Sequence, residues 1–143
     1  MKALEEIEPF VRKYFKYLAE DFEFEETPSS SQPFIHSIDY FKSNLIVSIR
    51  YAYRHDYLEP MIFNKKFPVG SETFKNVNLL WLIVKDNPKY DYRDYDKLMP
   101  KQIDLEESVK IIADLFHRYA ASFLAAKEWL SWEEIAELYK SRR

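Results

Sequence analysis

The chain predicts an α+β fold: a small antiparallel sheet of about four strands, arranged as a meander, packed against an N-terminal helix and a C-terminal pair of helices. Three observations carry this expectation. Residues 45–54, "LIVSIRYAYR", alternate with an unbroken period of two. Residues 105–126 repeat apolar side chains at Leu105, Val109, Ile112, Phe116, Tyr119 and Phe123, the stripe of an amphipathic helix. The strand-like runs follow one another through turn sequences, as antiparallel neighbours do. At 143 residues the chain reads as one domain, 1–143. A chain of that size buries roughly 68–70% of its unfolded surface, so it needs no disulfide or metal to fold.

Taken in order, Leu4, Ile7, Val11, Tyr14, Phe15 and Leu18 predict a helix over 3–19. Pro9 falls within it, so the first turn should be irregular or the helix should start near Glu8. In "EDFEFEE", 20–26, Phe22 and Phe24 alternate with Asp21, Glu23 and Glu25, which predicts a strand with its rings inward and its carboxylates outward. "TPSSSQP", 27–33, reads as a polar, mobile loop. A strand "FIHSIDYF" at 34–41 and a hairpin turn "KSN" at 42–44 lead into the 45–54 strand. There Leu45, Val47, Ile49, Tyr51 and Tyr53 share one face, and Ile46, Ser48, Arg50, Ala52 and Arg54 the other. "HDYLEP" turns the chain into a fourth strand, "MIFN", at 61–64.

Residues 74–87, "FKNVNLLWLIVKDN", fit both periods. Phe74, Val77, Leu80, Trp81 and Val84 match a helix, Val77, Leu79, Trp81 and Ile83 a strand, and the helix is favoured. Asp104 with Glu107 and Ser131 with Glu134 are capping boxes, the second with a staple pair in Leu130 and Ile135. They open the 105–126 helix and a last one over 132–141, whose end at Lys140, Arg142 and Arg143 suits a negative dipole terminus.

Composition excludes several chemistries. The only glycine is Gly70, so no glycine-rich phosphate loop can form. With no cysteine, there is no thiol nucleophile, disulfide or thiolate metal site. Glu5, Glu6 and Glu8 stand where a signal peptide needs an apolar core, and "LLWLIV" at 79–84 is too short to span a bilayer. A soluble, cytoplasmic protein without membrane contact is expected.

His36, His55 and His117 form no paired motif for zinc and read as structural or solvent-facing. Serines cluster at 29–31 with no G-x-S-x-G elbow. No cofactor, no metal and no enzymatic activity are expected. A catalytic site assembled only in three dimensions is not legible in a sequence. The net charge is −3 and no basic stripe stands out, which argues against a nucleic-acid partner. In "IRYAYRH" the tyrosines and Arg50 and Arg54 point to opposite faces, so both arginines are expected to pair with acids on neighbouring strands.

Two stretches remain as candidates for contact with a protein. "EDFEFEE" concentrates five acids, including Glu23 and Glu25, on what would be an outward face suited to a basic partner. "NPKYDYRDYDKLMP", 87–100, places Tyr90, Asp91, Tyr92, Asp94, Tyr95 and Asp96 together. It lacks the spacing and the glycine of a calcium loop. As a short helix it would dock Tyr92, Tyr95 and Met99 on the core; otherwise its tyrosines would form a partner surface. The contact candidates are thus Glu23, Glu25, Tyr90, Asp91, Tyr92, Asp94 and Tyr95.

Residues 44–63, "NLIVSIRYAYRHDYLEPMIF", and 111–132, "IIADLFHRYAASFLAAKEWLSW", resemble segments of small bacterial α+β proteins, some similar to immunity proteins of toxin systems. The likeness covers about a third of the chain, and "RYAASFL" is a packing motif. It implies a stand-alone, non-enzymatic protein that inhibits a toxin by direct contact, and it carries over no functional residue. The alternatives are a small subunit or adaptor of a bacterial assembly, and an enzyme with a spatially assembled site.

Overall fold

A computed structural model describes residues 2–43, 45–64 and 76–125. Their order is helix α1 (Lys2–Tyr14), helical turn α2 (Tyr17–Glu20), strands β1 (Glu25–Glu26), β2 (Ser30–Gln32), β3 (Ile35–Lys42), β4 (Leu45–Ala52), β5 (Tyr57–Asn64) and β6 (Asn76–Asn78), then helices α3 (Leu79–Asp86), α4 (Tyr92–Asp96) and α5 (Leu105–Leu124). The fold is α+β, an antiparallel sheet packed against helices that precede and follow it. The expected helix over 132–141, its capping box at Ser131 and Asn44 of the hairpin turn lie outside the described residues.

The β3–β4–β5 meander is the centre of the sheet. β3 and β4 pair over eight residues, from Ile35 opposite Ala52 to Lys42 opposite Leu45. β4 and β5 pair over eight more, from Leu45 opposite Asn64 to Ala52 opposite Tyr57. β6 extends the sheet beyond β5, while β1 and β2 share the outer edge of β3. Period-two alternation works as expected: Leu45, Val47, Ile49 and Tyr51 of β4 are buried. Ile38 and Tyr40 of β3 and Leu58 and Ile62 of β5 join them on that face.

That inner face meets the helices in one core. α1 brings Ile7 and Val11, followed by Phe15 and Leu18, and α5 brings Val109, Ile112, Phe116, Ala120 and Phe123. The Phe15 and Phe116 rings lie 6.1 Å apart. Tyr17 donates its hydroxyl to the Ala113 carbonyl at 2.7 Å. α5 begins where the capping signal places it, with the Asp104 carboxylate accepting the Glu107 amide at 3.4 Å. α3 is capped by Asn78, whose side chain accepts the Trp81 amide at 2.9 Å, so the described part of the ambiguous stretch, from residue 76 on, is a short strand followed by the favoured helix; Phe74 lies outside the described residues.

Four local expectations need correction. α1 starts at Lys2 with Pro9 inside it, and the helical run breaks at Phe15–Lys16 before α2. The acidic strand is only Glu25–Glu26, because Glu23 takes a left-handed backbone (φ 64°) that interrupts extended structure after α2. Within the expected polar loop, Ser30–Gln32 is a strand paired with Ile35–Ser37. β5 starts at Tyr57 rather than Met61, running through Pro60.

Pro60 is tolerated for a geometric reason. The Tyr53 amide donates to the Phe34 carbonyl, so odd-numbered β4 residues aim their backbone groups at β3 and even-numbered ones at β5. Pro60, opposite Ile49, therefore turns its nitrogen away from β4, beyond the reach of the short β6, where no amide hydrogen is needed.

Ile49, 1% exposed at the middle of the central strand, is the position where a cavity should hurt most. Ile49→Ala is expected to cost about 2–5 kcal/mol, read as a lowered urea midpoint with an unchanged slope.

Candidate functional site

The acidic segment is anchored from beneath and open above. Phe22 packs its ring on Tyr17 (6.3 Å) and His117 (5.7 Å). Phe24 is buried, with the Lys42 ammonium 5.2 Å from its ring centre. Between and beside these anchors Glu20, Asp21, Glu23, Glu25 and Glu26 are all exposed. Among the described residues no basic side chain forms an ion pair with any of the five.

The tyrosine segment is split by its own short helix. Asp91 caps α4, accepting the Arg93 amide at 2.9 Å and clamping the Arg93 guanidinium at 2.9–3.1 Å. Those contacts hold the Asp91 carboxyl below its ordinary value. Asp94 stands 3.5 Å from Lys97. Tyr95 is 1% exposed and donates its hydroxyl to the Leu58 carbonyl at 3.0 Å, while the Leu58 amide points at the Met99 sulfur.

Tyr95 is therefore a core residue that docks the connector on β5, and it leaves the set of contact candidates. Tyr92, expected on the same side, is 55% exposed instead. Five residues of helix leave the first position outside the core while the fourth is turned into it. Tyr90 is half-buried, and burial raises its phenol.

The two candidate stretches are not neighbours. Glu25 lies opposite Phe41, near the end of β3. Tyr95 meets Leu58 near the start of β5, level with His36 toward the other end of β3 and, counted from β1, three strands across. At ~3.3 Å per residue and ~4.8 Å per strand the separation is about 17 Å along the sheet and about 14 Å across it.

A third constellation, which the sequence reading did not single out, lies between α1, β2 and β3. Ser31 and His36 are direct partners across the ladder, and the Ser31 Oγ sits 2.6 Å from His36 Nδ1. On the far side of the ring, His36 Nε2 faces Glu8 Oε1 at 3.7 Å. The other Glu8 oxygen is 3.6 Å from Arg12, which also donates to the Thr27 carbonyl at 2.6 Å and lies over the Tyr40 ring. The Ser29 hydroxyl, with help from Arg12 and His36 and against burial, holds the Glu8 carboxyl below its ordinary value. Three polar atoms here, Arg12 Nη1, His36 Nε2 and the Tyr40 hydroxyl, are buried without a hydrogen-bond partner.

Elsewhere, Arg50 lies opposite Glu59 in the β4–β5 ladder, but among the described residues it forms no ion pair there; its guanidinium donates to Ser48 Oγ at 3.4 Å and covers the Phe63 ring at 5.0 Å. Arg54 also departs from the expected pairing with an acid, stacking on Phe34 at 3.9 Å instead. A cleft of about 210 Å³ opens between α3 and α5, with Lys85, Asp86, Arg118 and Ser122 in its lining. Among the described residues no group of three or more His, Asp or Glu could hold a metal ion, and no helix is long and apolar enough to cross a membrane.

No family model, curated protein or solved structure matches this chain.

Glu59 provides a direct check of the sheet's electrostatics. Burial raises its carboxyl above the ordinary 4.5, only partly opposed by Arg50. A raised folded-state value makes the ionised form a burden that is present at neutral pH and disappears as pH falls below the unfolded value. Glu59→Gln keeps an acceptor for Asn78 and should raise the melting temperature at pH 7, with the gain vanishing below about pH 4.5. Thermal melts at the two pH values measure it.

Proposed function

We propose that this chain is a protein-binding protein that blocks a basic partner by direct contact, in the manner of an immunity protein. The observation that carries this reading is the acidic corner, with five exposed carboxylates fixed on a buried Phe24 anchor and lacking an ion-pair partner among the described residues. Unpaired charges of one sign repel each other, so a fold that holds them together bears a cost that a cationic partner would remove. A toxin acting on nucleic acid is basic for the sake of its polyanionic substrate, and an acidic antagonist reproduces that charge.

A second reading, an adaptor within a larger assembly, has its own support. Phe34, at the opposite end of β3, is 46% exposed on a left-handed backbone (φ 76°), a conformation costly for an aromatic residue. The Tyr53 hydroxyl accepts its amide at 2.7 Å and Arg54 stacks on its ring, so the strained, exposed ring is actively held in place. With an acidic corner at one end and an aromatic residue at the other, the chain would have two contact surfaces.

Affinity purification of the whole chain separates the readings, yielding one small basic partner in the first case and several subunits in the second. With the partner in hand, Glu23→Lys combined with Glu25→Lys should lower the association rate at least about 10-fold at low salt, and the loss should shrink as salt rises. Tyr92→Ala should leave association unchanged and speed dissociation roughly 5- to 30-fold if its ring is a contact worth 1–2 kcal/mol. Association that ignores both the charge reversal and the salt would place the interface away from the acidic corner.

A further inference from the structure

The Ser31–His36–Glu8 line has the order of a nucleophile, a base and a carboxylate that orients the base, and the sheet register explains how it forms. The Thr27 amide donates to the Asp39 carbonyl, so odd-numbered β3 residues aim their backbone groups at β1 and β2. Ser30 opposite Ser37 and Gln32 opposite Ile35 are then the hydrogen-bonded pairs, and Ser31 opposite His36 is the wide pair between them. Side chains of such a pair stand closest, which brings Oγ to 2.6 Å from the imidazole. The same parity turns the Ser31 amide away from β3 toward the open edge of β2, and among the described residues nothing accepts it.

The protonation pattern follows from the charges around the ring. The Glu8 carboxylate, 3.7 Å from Nε2, favours the imidazole tautomer with its hydrogen on Nε2. Nδ1 is then the acceptor for the Ser31 proton. His36 itself is 9% exposed, whereas Ser31 is exposed, so the base is shielded while the hydroxyl is open to approach. Ser29, Ser30 and Ser31 are adjacent in sequence, yet only Ser31 makes this contact.

We propose that Ser31 is an activated nucleophile that accepts the acyl group of a small activated carboxylic ester. The Ser31 oxygen bonds to the acyl carbon as its proton passes to His36 Nδ1, and the carbonyl electron pair moves onto oxygen, within reach of the outward Ser31 amide. Collapse breaks the bond to the leaving alcohol, which takes the proton back from His36. Water then repeats the sequence on the acyl-serine, releasing the carboxylic acid and restoring Ser31. Glu8 is a positioning residue, its carboxylate facing the Nε2 side of the ring at 3.7 Å. The hydroxyl lies on an open strand edge, so reactivity of the leaving group, rather than fit in a cleft, selects the substrate.

The test uses the whole chain with p-nitrophenyl acetate and, separately, a fluorophosphonate, read by chromophore release and by tandem mass spectrometry. The expected result is a single modification at Ser31, absent in Ser31→Ala and unchanged in Ser30→Ala. His36→Gln should slow it at least about 100-fold, the contribution of a positioned general base. Glu8→Gln should slow it less than His36→Gln does, and Glu8→Asp, which keeps the carboxylate, should restore part of the rate. Circular dichroism identifies any variant that fails to fold. If His36→Gln is one, the pH profile of the unmodified chain decides: a rate that rises with one deprotonation and levels supports the proposal, and one that climbs tenfold per pH unit throughout overturns it. Absence of labelling, or equal labelling of Ser29, Ser30 and Ser31, also overturns it.

Discussion

The register of β4 between its two neighbours decides which side chains the helices can reach. Because side chains alternate with a period of two, sliding β4 by one residue would turn Val47, Ile49 and Tyr51 away from α1 and α5 and bring Ser48 and Arg50 against them. Sixteen cross-strand pairs, eight on each side, hold that register. Its consequences reach well past β4. The parity that β4 imposes on β3 puts His36 and Tyr40 on the inner face beneath α1, and the same parity sets Arg50 opposite Glu59 and lets Pro60 sit in a full-length strand.

Much of this was legible because strong periodicity and strong burial coincide. β4 and α5 announce themselves, as does the Asp104 cap, since each local preference agrees with the tertiary demand. What escaped was structure without an apolar signal. Ser30–Gln32 is a strand composed of polar residues on a sheet edge, with no apolar side chain to mark a buried face, so its composition does not distinguish it from a loop. The start of β5 was hidden by Pro60, which reads as a breaker unless the direction of its nitrogen is known. Glu23 shows the reverse case, an alternating pattern that predicts a strand through a position where the backbone turns left-handed.

The candidate sites were legible to different degrees for the same reasons. Acidity is a property of composition, so the exposed carboxylates around Glu23 and Glu25 could be named from the sequence. Assigning tyrosines required knowing which turn of a five-residue helix faces β5, and that is set by the contacts of Leu58 with Tyr95 and Met99. The Glu8–His36–Ser31 line was invisible twice over. Its acid lies on a helix 28 residues before the histidine, and its serine lies in a segment that reads as a loop.

The distribution of unsatisfied polar groups bears on how that line should be understood. Leaving a buried donor or acceptor unpaired costs about 1–3 kcal/mol. Elsewhere this fold avoids the cost: Tyr95 reaches the Leu58 carbonyl, Tyr17 the Ala113 carbonyl, and Ser108 the Leu98 carbonyl at 2.5 Å. Among the described residues four buried side-chain atoms lack a partner: Asp39 Oδ1 lies on the outer face of β3, and the other three gather around Glu8 beneath α1. If packing alone governed that spot, Arg12 and His36 could be replaced by apolar residues at a net gain, as buried ionic groups often can. A polar cluster only half satisfied by its own fold stabilises that fold poorly. Its arrangement, with one carboxylate between a guanidinium and an imidazole and a hydroxyl on the imidazole's far side, is better explained by what it can do to a proton than by what it adds to stability.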